Sequence, residues 1–136
     1  MRLWHYKLIP FLPNSQLIAQ WRELNSIFKK QDKHILINYV YEYPKQDLYI
    51  YSFMVLAEMI DRHYKIKSID NFYNYFEIDP FACGFKLEMK KGETPFVRHH
   101  NERYLIQCFY NLQEKYDRGQ KDFSKEQYDL LKEVLL

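Results

Sequence analysis

The apolar residues of this chain recur at helical rather than strand spacing in three long stretches, and that period constrains the fold more than any other feature. Leu17, Trp21, Leu24 and Phe28 follow an i, i+4, i+7, i+11 line and predict a helix from Asn14 or Ser15, either of which can cap it, to about Lys30. Leu48, Tyr51, Val55 and Met59 form a second stripe between Lys45 and about His63, with Phe53, Leu56 and Ile60 beside it. A helix apolar nearly all round is expected at the centre of the domain. The third runs from about Arg98 to Arg118 on Tyr104, Leu105, Cys108, Leu112 and Tyr116, with Gly119 in position to end it. Ser124 with Gln127 has the spacing of a capping box and opens a last helix over 125–135.

Between these stretches the signals break. Segment 1–13, with Pro10 and Pro13, reads as an extended arm. Segment 34–43, HILINYVYEY, is strand-like in composition but runs into Tyr43-Pro44, and reads as an extended connection or a turn. Segment 66–97 carries Asp79-Pro80, Gly84, Gly92 and Thr94-Pro95, and is expected to be irregular. The expected fold is mostly α: a single compact helical domain over 1–136 with long irregular connections.

Composition agrees. With 47% hydrophobic residues, 13 Tyr and 10 Phe, the chain can bury a sizeable, partly polar core, and only 3 Gly and 5 Pro argue against disorder or low-complexity repeats. No apolar run approaches the roughly 18–20 residues of a membrane span, and no charged start followed by an apolar run suggests a secretory signal. Cys83 and Cys108 make neither a metal spacing nor a disulfide framework; both are expected as buried thiols in a reduced, cytoplasmic protein, and a monomer is expected.

Net charge is +2, unevenly spread: residues 1–33 hold six Lys/Arg against two acids. Arg22, Ser26, Lys29 and Lys33 lie on one helical line away from the Trp21 stripe, as contacts to a row of phosphates require; a solvated helix face gives the same pattern. Gln16, Gln20 and Glu23 follow another line, so Glu23 can border a polar cleft and act as a base, though a single surface carboxylate reads identically. A free α-amine is a further candidate. Its reference pKa of about 7.7–8.0 leaves roughly a third of it neutral near pH 7.5, against about one part in a thousand for lysine. The apolar residues Trp4, Tyr6, Leu8, Ile9 and Phe11 give the arm a means to dock. Arg98, His99 and His100 open the third helix, and adjacent histidines point to different sides of it, so no shared metal ion is expected there. No glycine-rich phosphate loop, Gly-x-Ser-x-Gly or His-Glu-x-x-His is present, which removes the usual supports for kinase and hydrolase chemistry.

Three stretches together resemble the pyrimidine-dimer DNA glycosylase family of the phage endonuclease V type. They are the start Met1-Arg2-Leu3-Trp4-His5-Tyr6-Lys7-Leu8-Ile9-Pro10, the stretch Gln16-Leu17-Ile18-Ala19-Gln20-Trp21-Arg22-Glu23-Leu24, and Val55-Leu56-Ala57-Glu58-Met59-Ile60-Asp61-Arg62-His63-Tyr64. The middle one resembles the family's aromatic-Arg-Glu-Leu signature, whose Glu is the catalytic carboxylate. The resemblance implies a mostly helical, cofactor-free enzyme on damaged double-stranded DNA. The N-terminal amine would be the nucleophile, forming an imine with the lesion sugar, and AP-lyase cleavage would follow. Carried onto this chain, it makes Met1 and Glu23 catalytic. Arg2, Arg22, Lys29, Lys30, Lys33 and His100 would contact substrate. Two departures stand out. Members of the well-studied branch expose Thr after losing Met, whereas Arg2 here favours retention of Met1; and Asn25 and Ser26 stand where that branch has a basic residue after its Glu. A non-catalytic DNA- or protein-binding module on the same scaffold, or a glycosylase for another base modification, are the alternatives.

Overall fold

The computed structural model describes residues 2–84 and 94–136; Gly92 lies outside them. Among the described residues there are five α-helices and no strand: α1 Asn14–Lys30, α2 Lys45–Asp61, α3 Ile69–Tyr75, α4 Glu102–Asp117 and α5 Lys125–Glu133, with 3-10 helices at Tyr6–Phe11 and Asn38–Glu42. The fold is mostly α, as expected. No helix among the described residues is long and apolar enough to cross a membrane.

Helix ends follow from local chemistry. Both α1 and α2 begin immediately after a proline, Pro13 and Pro44, each at φ −56, and neither uses a side-chain cap. The proline ring supplies the entry angle, and its carbonyl takes the first amides: Gln16 N and Leu17 N reach Pro13 O at 3.0 Å. The expected caps Asn14 and Ser15 are therefore already inside α1. Helix α1 stops at Gln31, in the left-handed region at φ 50, so Lys33 lies beyond the helix and off the line drawn for it with Arg22 and Lys29. Helix α4 ends at Gly119, φ 83, whose N–H meets Tyr116 O at 2.9 Å. At α5, Ser124 Oγ accepts from Gln127 N at 3.1 Å, but the Gln127 side chain donates to Leu12 O at 2.8 Å instead of closing the capping box.

Leu17, Trp21, Leu24 and Phe28 are all buried, as are Leu48, Tyr51, Val55 and Met59 opposite them. Ile50 on the opposite side of α2 is buried too, at 4% exposure, so the helix is central over most of its length; Ile60, 53% exposed, opens its last turn to solvent. Helix α3 falls in the stretch expected to be irregular. It is short and has no periodic stripe; its one buried residue, Phe72, has ring centroids 6.4 Å from Trp21, 5.9 Å from Phe28 and 5.6 Å from Tyr49, and Tyr75 packs on Phe28 at 5.5 Å. Cys108 is buried, whereas Cys83 is exposed in a turn, against the expectation of two buried thiols.

The arm is a 3-10 helix rather than an extended strand, and its docking organises the N-terminal end of the domain. Arg62 at the end of α2 donates to Leu12 O at 2.7 Å, Asn14 Oδ1 at 2.9 Å and Pro10 O at 3.1 Å, and pairs with Glu58 at 2.9 Å. At the other end, two buried histidines hold the arm to the turn before α4. His5 Nδ1 accepts from Lys7 N at 3.1 Å, which leaves Nε2 protonated to donate to His100 O at 2.9 Å. His100 Nδ1 accepts from Tyr6 N at 3.2 Å, and its Nε2 lies 2.7 Å from the Tyr39 hydroxyl. Both rings must stay neutral, because a second ring proton would face a backbone N–H. Burial accordingly lowers His5 from 6.5 to about 4 and His100 to about 3.

Below pH 6.5 the unfolded chain takes up protons that these native histidines refuse, so stability falls as pH falls toward about 4. The slope is at most roughly 1.4 kcal/mol per pH unit for each histidine. Urea melts between pH 7 and pH 4.5 should show the midpoint dropping, and His100→Gln should flatten that dependence while lowering the midpoint at pH 7. A parent midpoint that stays level over this range would contradict the assignment.

Candidate active site

The arm, α1 and α4 enclose a cleft of about 280 Å³ whose walls include Arg2, Trp4, Gln16, Gln20, Glu23, Leu36, Asn111 and Lys115. The helical line of Gln16, Gln20 and Glu23 does border a polar cleft. Gln20, 1% exposed, is its central feature. Its Nε2 donates to Arg2 O at 3.0 Å and to Glu23 Oε2 at 3.0 Å. Its Oε1 accepts from Trp4 N at 2.8 Å and lies 2.9 Å from the Tyr51 hydroxyl. Tyr51, fully buried on α2, also reaches Trp4 O at 2.6 Å, and Tyr104 on α4 reaches Leu3 O at 2.5 Å. Residues 2, 3 and 4 thus have their backbone groups taken by side chains from three different helices.

Glu23 is half-buried between this network and the cleft. Burial raises its pKa above the ordinary glutamate value, opposed by hydrogen bonding from the Arg2 backbone, the Arg22 charge and the Gln20 amide. A carboxylate raised this way is a better proton acceptor than a surface one. Arg2 lies with its guanidinium 5.8 Å from the Tyr104 ring centroid. Among the described residues, no group of three or more His, Cys, Asp or Glu is arranged to hold a metal ion.

The other expected site residues divide by location. Met1 lies outside the described residues. Arg22 and Lys29 are exposed on the far side of α1 and line a second groove of about 340 Å³ with Ser26, Asn25, Lys67 and Ser68. Lys30 and Lys33 are exposed at the end of α1 and line neither groove. His100 is 3% exposed with both ring nitrogens engaged inside the protein. Asn25 is buried and ties α1 to α3, donating to Trp21 O at 2.8 Å and accepting from Asn71 Nδ2 at 2.9 Å. Sequence reasoning missed Lys115 and Asn111, which α4 brings to the cleft. Both sit on the polar side of an ordinary amphipathic helix, and nothing local marks them. It also missed Lys67, which enters the second groove from the turn that accepts the Trp21 indole N–H at 2.9 Å.

Comparison with known proteins bears on the same region. The family described as pyrimidine dimer DNA glycosylase matches residues 1–71, just over half of the chain. The chain belongs to that family. As a pyrimidine dimer DNA glycosylase family member it carries the matched part through the arm, α1, α2 and the start of α3, which includes Glu23 and Gln20. The chain is also similar to a CRISPR-associated endoribonuclease, Cas13a, of Leptotrichia wadei (strain F0279), at 31% identity over 85 residues, covering 58% of this chain. It spans only 7% of that protein's length. No solved structure matches the chain.

The electrostatics of Glu23 can be checked directly. Carboxyl ¹³C chemical shifts followed over pH should give Glu23 a midpoint above the ordinary glutamate value. A midpoint at or below that value would mean that its carboxylate is solvated, and the cleft not built as described.

Proposed function

We propose that this protein is a DNA glycosylase with AP-lyase activity that acts on pyrimidine dimers in duplex DNA through the α-amine of Met1. One observation carries the reading. The carbonyl of Arg2, next to Met1 in the chain, and the carboxylate of Glu23 are held by the same Gln20 amide at 3.0 Å each, in a chain that belongs to this family.

The chemistry follows from the residue types. Bending the damaged duplex and displacing a base from the stack makes C1′ of the lesion nucleotide reachable. The neutral amine attacks C1′, and the C1′–N glycosidic bond breaks with its electron pair leaving on the base, which is then protonated. The C1′–O4′ bond then opens with its electron pair on O4′, which takes up the proton that the attacking nitrogen gives up, leaving a protonated imine between the chain and the sugar. Glu23 stabilises the positive charge as it develops and then removes a C2′ proton; the electrons flow toward the imine and expel the 3′ phosphate by β-elimination. Arg2 at the cleft and Arg22 with Lys29 in the neighbouring groove hold flanking phosphates, with Lys30 and Lys33 adding weaker backbone contacts. His100 enters this scheme through the arm it anchors.

The test uses borohydride, which reduces an imine to a stable amine, on ultraviolet-irradiated and intact duplex. The free protein should give a covalent adduct with irradiated DNA and none with intact DNA, and the N-acetylated protein none with either, because an amide nitrogen is not nucleophilic. Glu23→Gln should bind lesion DNA and cleave it ~100-fold or more slowly, the scale of lost general-base catalysis. Binding without any adduct would favour the non-catalytic module. An adduct on a different lesion would keep the chemistry and change the substrate.

A further inference from the structure

We propose that Gln20 is the positioning residue of this site: by donating one amide hydrogen to the Arg2 carbonyl and the other to Glu23, it fixes the start of the chain against the carboxylate. The inference rests on the reading of Met1 and Glu23 above and deepens it.

The geometry leaves Gln20 no freedom. Its four hydrogen-bonding positions, two on nitrogen and two on oxygen, all face partners, at 2.8 to 3.0 Å. The amide has one allowed orientation. Turned over, its NH₂ group would face the Trp4 N–H, donor against donor, and its oxygen would face the Arg2 carbonyl and the Glu23 carboxylate. Gln20 and Glu23 are one helical turn apart on α1, so their side chains lie on the same face. The two halves of the amide have separate duties. The oxygen holds the arm to α1 and α2 through Trp4 and Tyr51. The nitrogen sets the separation between residue 2 and Glu23.

That division gives a substitution that removes the two donor contacts and keeps the two acceptor contacts. Gln20→Glu keeps the size and the two acceptor contacts to Trp4 and Tyr51, and above its own titration it removes both donors. Glu23 is faced by Arg2 from the arm, Arg22 on its own helix, Lys115 from α4 and the Tyr51 hydroxyl from α2. Gln20 is neutral, like the Tyr51 hydroxyl, and lowers the Glu23 pKa by its hydrogen bond. Its replacement by a second carboxylate raises it.

The experiment is single-turnover borohydride trapping at saturating irradiated duplex, as a function of pH, on the parent and Gln20→Glu. We expect the variant to melt below the parent at neutral pH, because an acceptor then faces the Arg2 carbonyl and the Glu23 carboxylate. Assayed well below its own melting temperature, it should form imine ~100-fold more slowly, the scale of a 1 Å misplacement, with its acidic limb displaced to higher pH. An ordinary structural residue would lower stability and leave that limb in place. In the parent protein, the Gln20 side-chain amide protons should shift with the midpoint of Glu23, a readout that needs no variant to fold. Parent-like trapping with an unmoved acidic limb, or Gln20 amide protons that ignore the Glu23 titration, would overturn the proposal. If the parent itself traps no imine while its Gln20 protons follow Glu23, the reading of Met1 fails and the coupling of Gln20 to Glu23 stands.

Discussion

The structure depends on docking a chain terminus that would ordinarily fray, and polar side chains do the docking. An arm held only by apolar contacts would bury backbone N–H and C=O groups without partners, at about 1–3 kcal/mol each. Here Gln20, Tyr51 and Tyr104 take the backbone groups of residues 2, 3 and 4, the His5–His100 pair takes those of residues 6, 7 and 100, and Arg62 takes the carbonyls of residues 10 and 12. The partners come from α1, α2, α4 and the turn before α4, so the arm is satisfied only when those helices are already together. The backbone from residue 2 onward is therefore tied to the folded helices, an anchorage that an N-terminal nucleophile requires.

Much of this was legible in the sequence because it is periodic. The stripes of α1, α2 and α4 are the observed core, and Glu23 follows from its helical line with Gln16 and Gln20. What was not legible is carried by single residues or by contacts between distant segments. Helix α3 buries one residue, Phe72, completely, and a seven-residue helix presents too few positions for a period. The arm's 3-10 geometry follows from the His5 ring capping its own turn and meeting His100, a pairing across most of the chain that no local pattern announces. Lys115 reaches the cleft only because α4 packs beside the arm. Pro13 and Pro44, taken in the sequence as part of the arm and as the end of segment 34–43, are the entrances of α1 and α2, where a missing N–H has no cost.

The departures noted in the sequence acquire a physical meaning. Of the two residues, Asn25 and Ser26, that stand where the resemblance implies a basic one, Asn25 is committed to the α1–α3 contact through Trp21 and Asn71, and Ser26 Oγ turns back to the Arg22 carbonyl at 3.4 Å. The groove beside them nevertheless remains basic, because Lys67 comes in from the turn after α2 to join Arg22 and Lys29. Positive charge absent from one helix position is supplied from another segment. The surface next to the cleft keeps the character that a polyanionic substrate needs.

The central claim is that the catalytic amine belongs to the docked chain start and not to a side chain. The structure provides its own rival, because Lys115 lines the same cleft as Glu23. The decisive measurement is peptide mapping by mass spectrometry of the borohydride-reduced protein–DNA adduct, after digestion of both partners. The account predicts the sugar remnant on the α-nitrogen of Met1 and an unmodified Lys115; a remnant on the Lys115 side chain, with Met1 free, would contradict it.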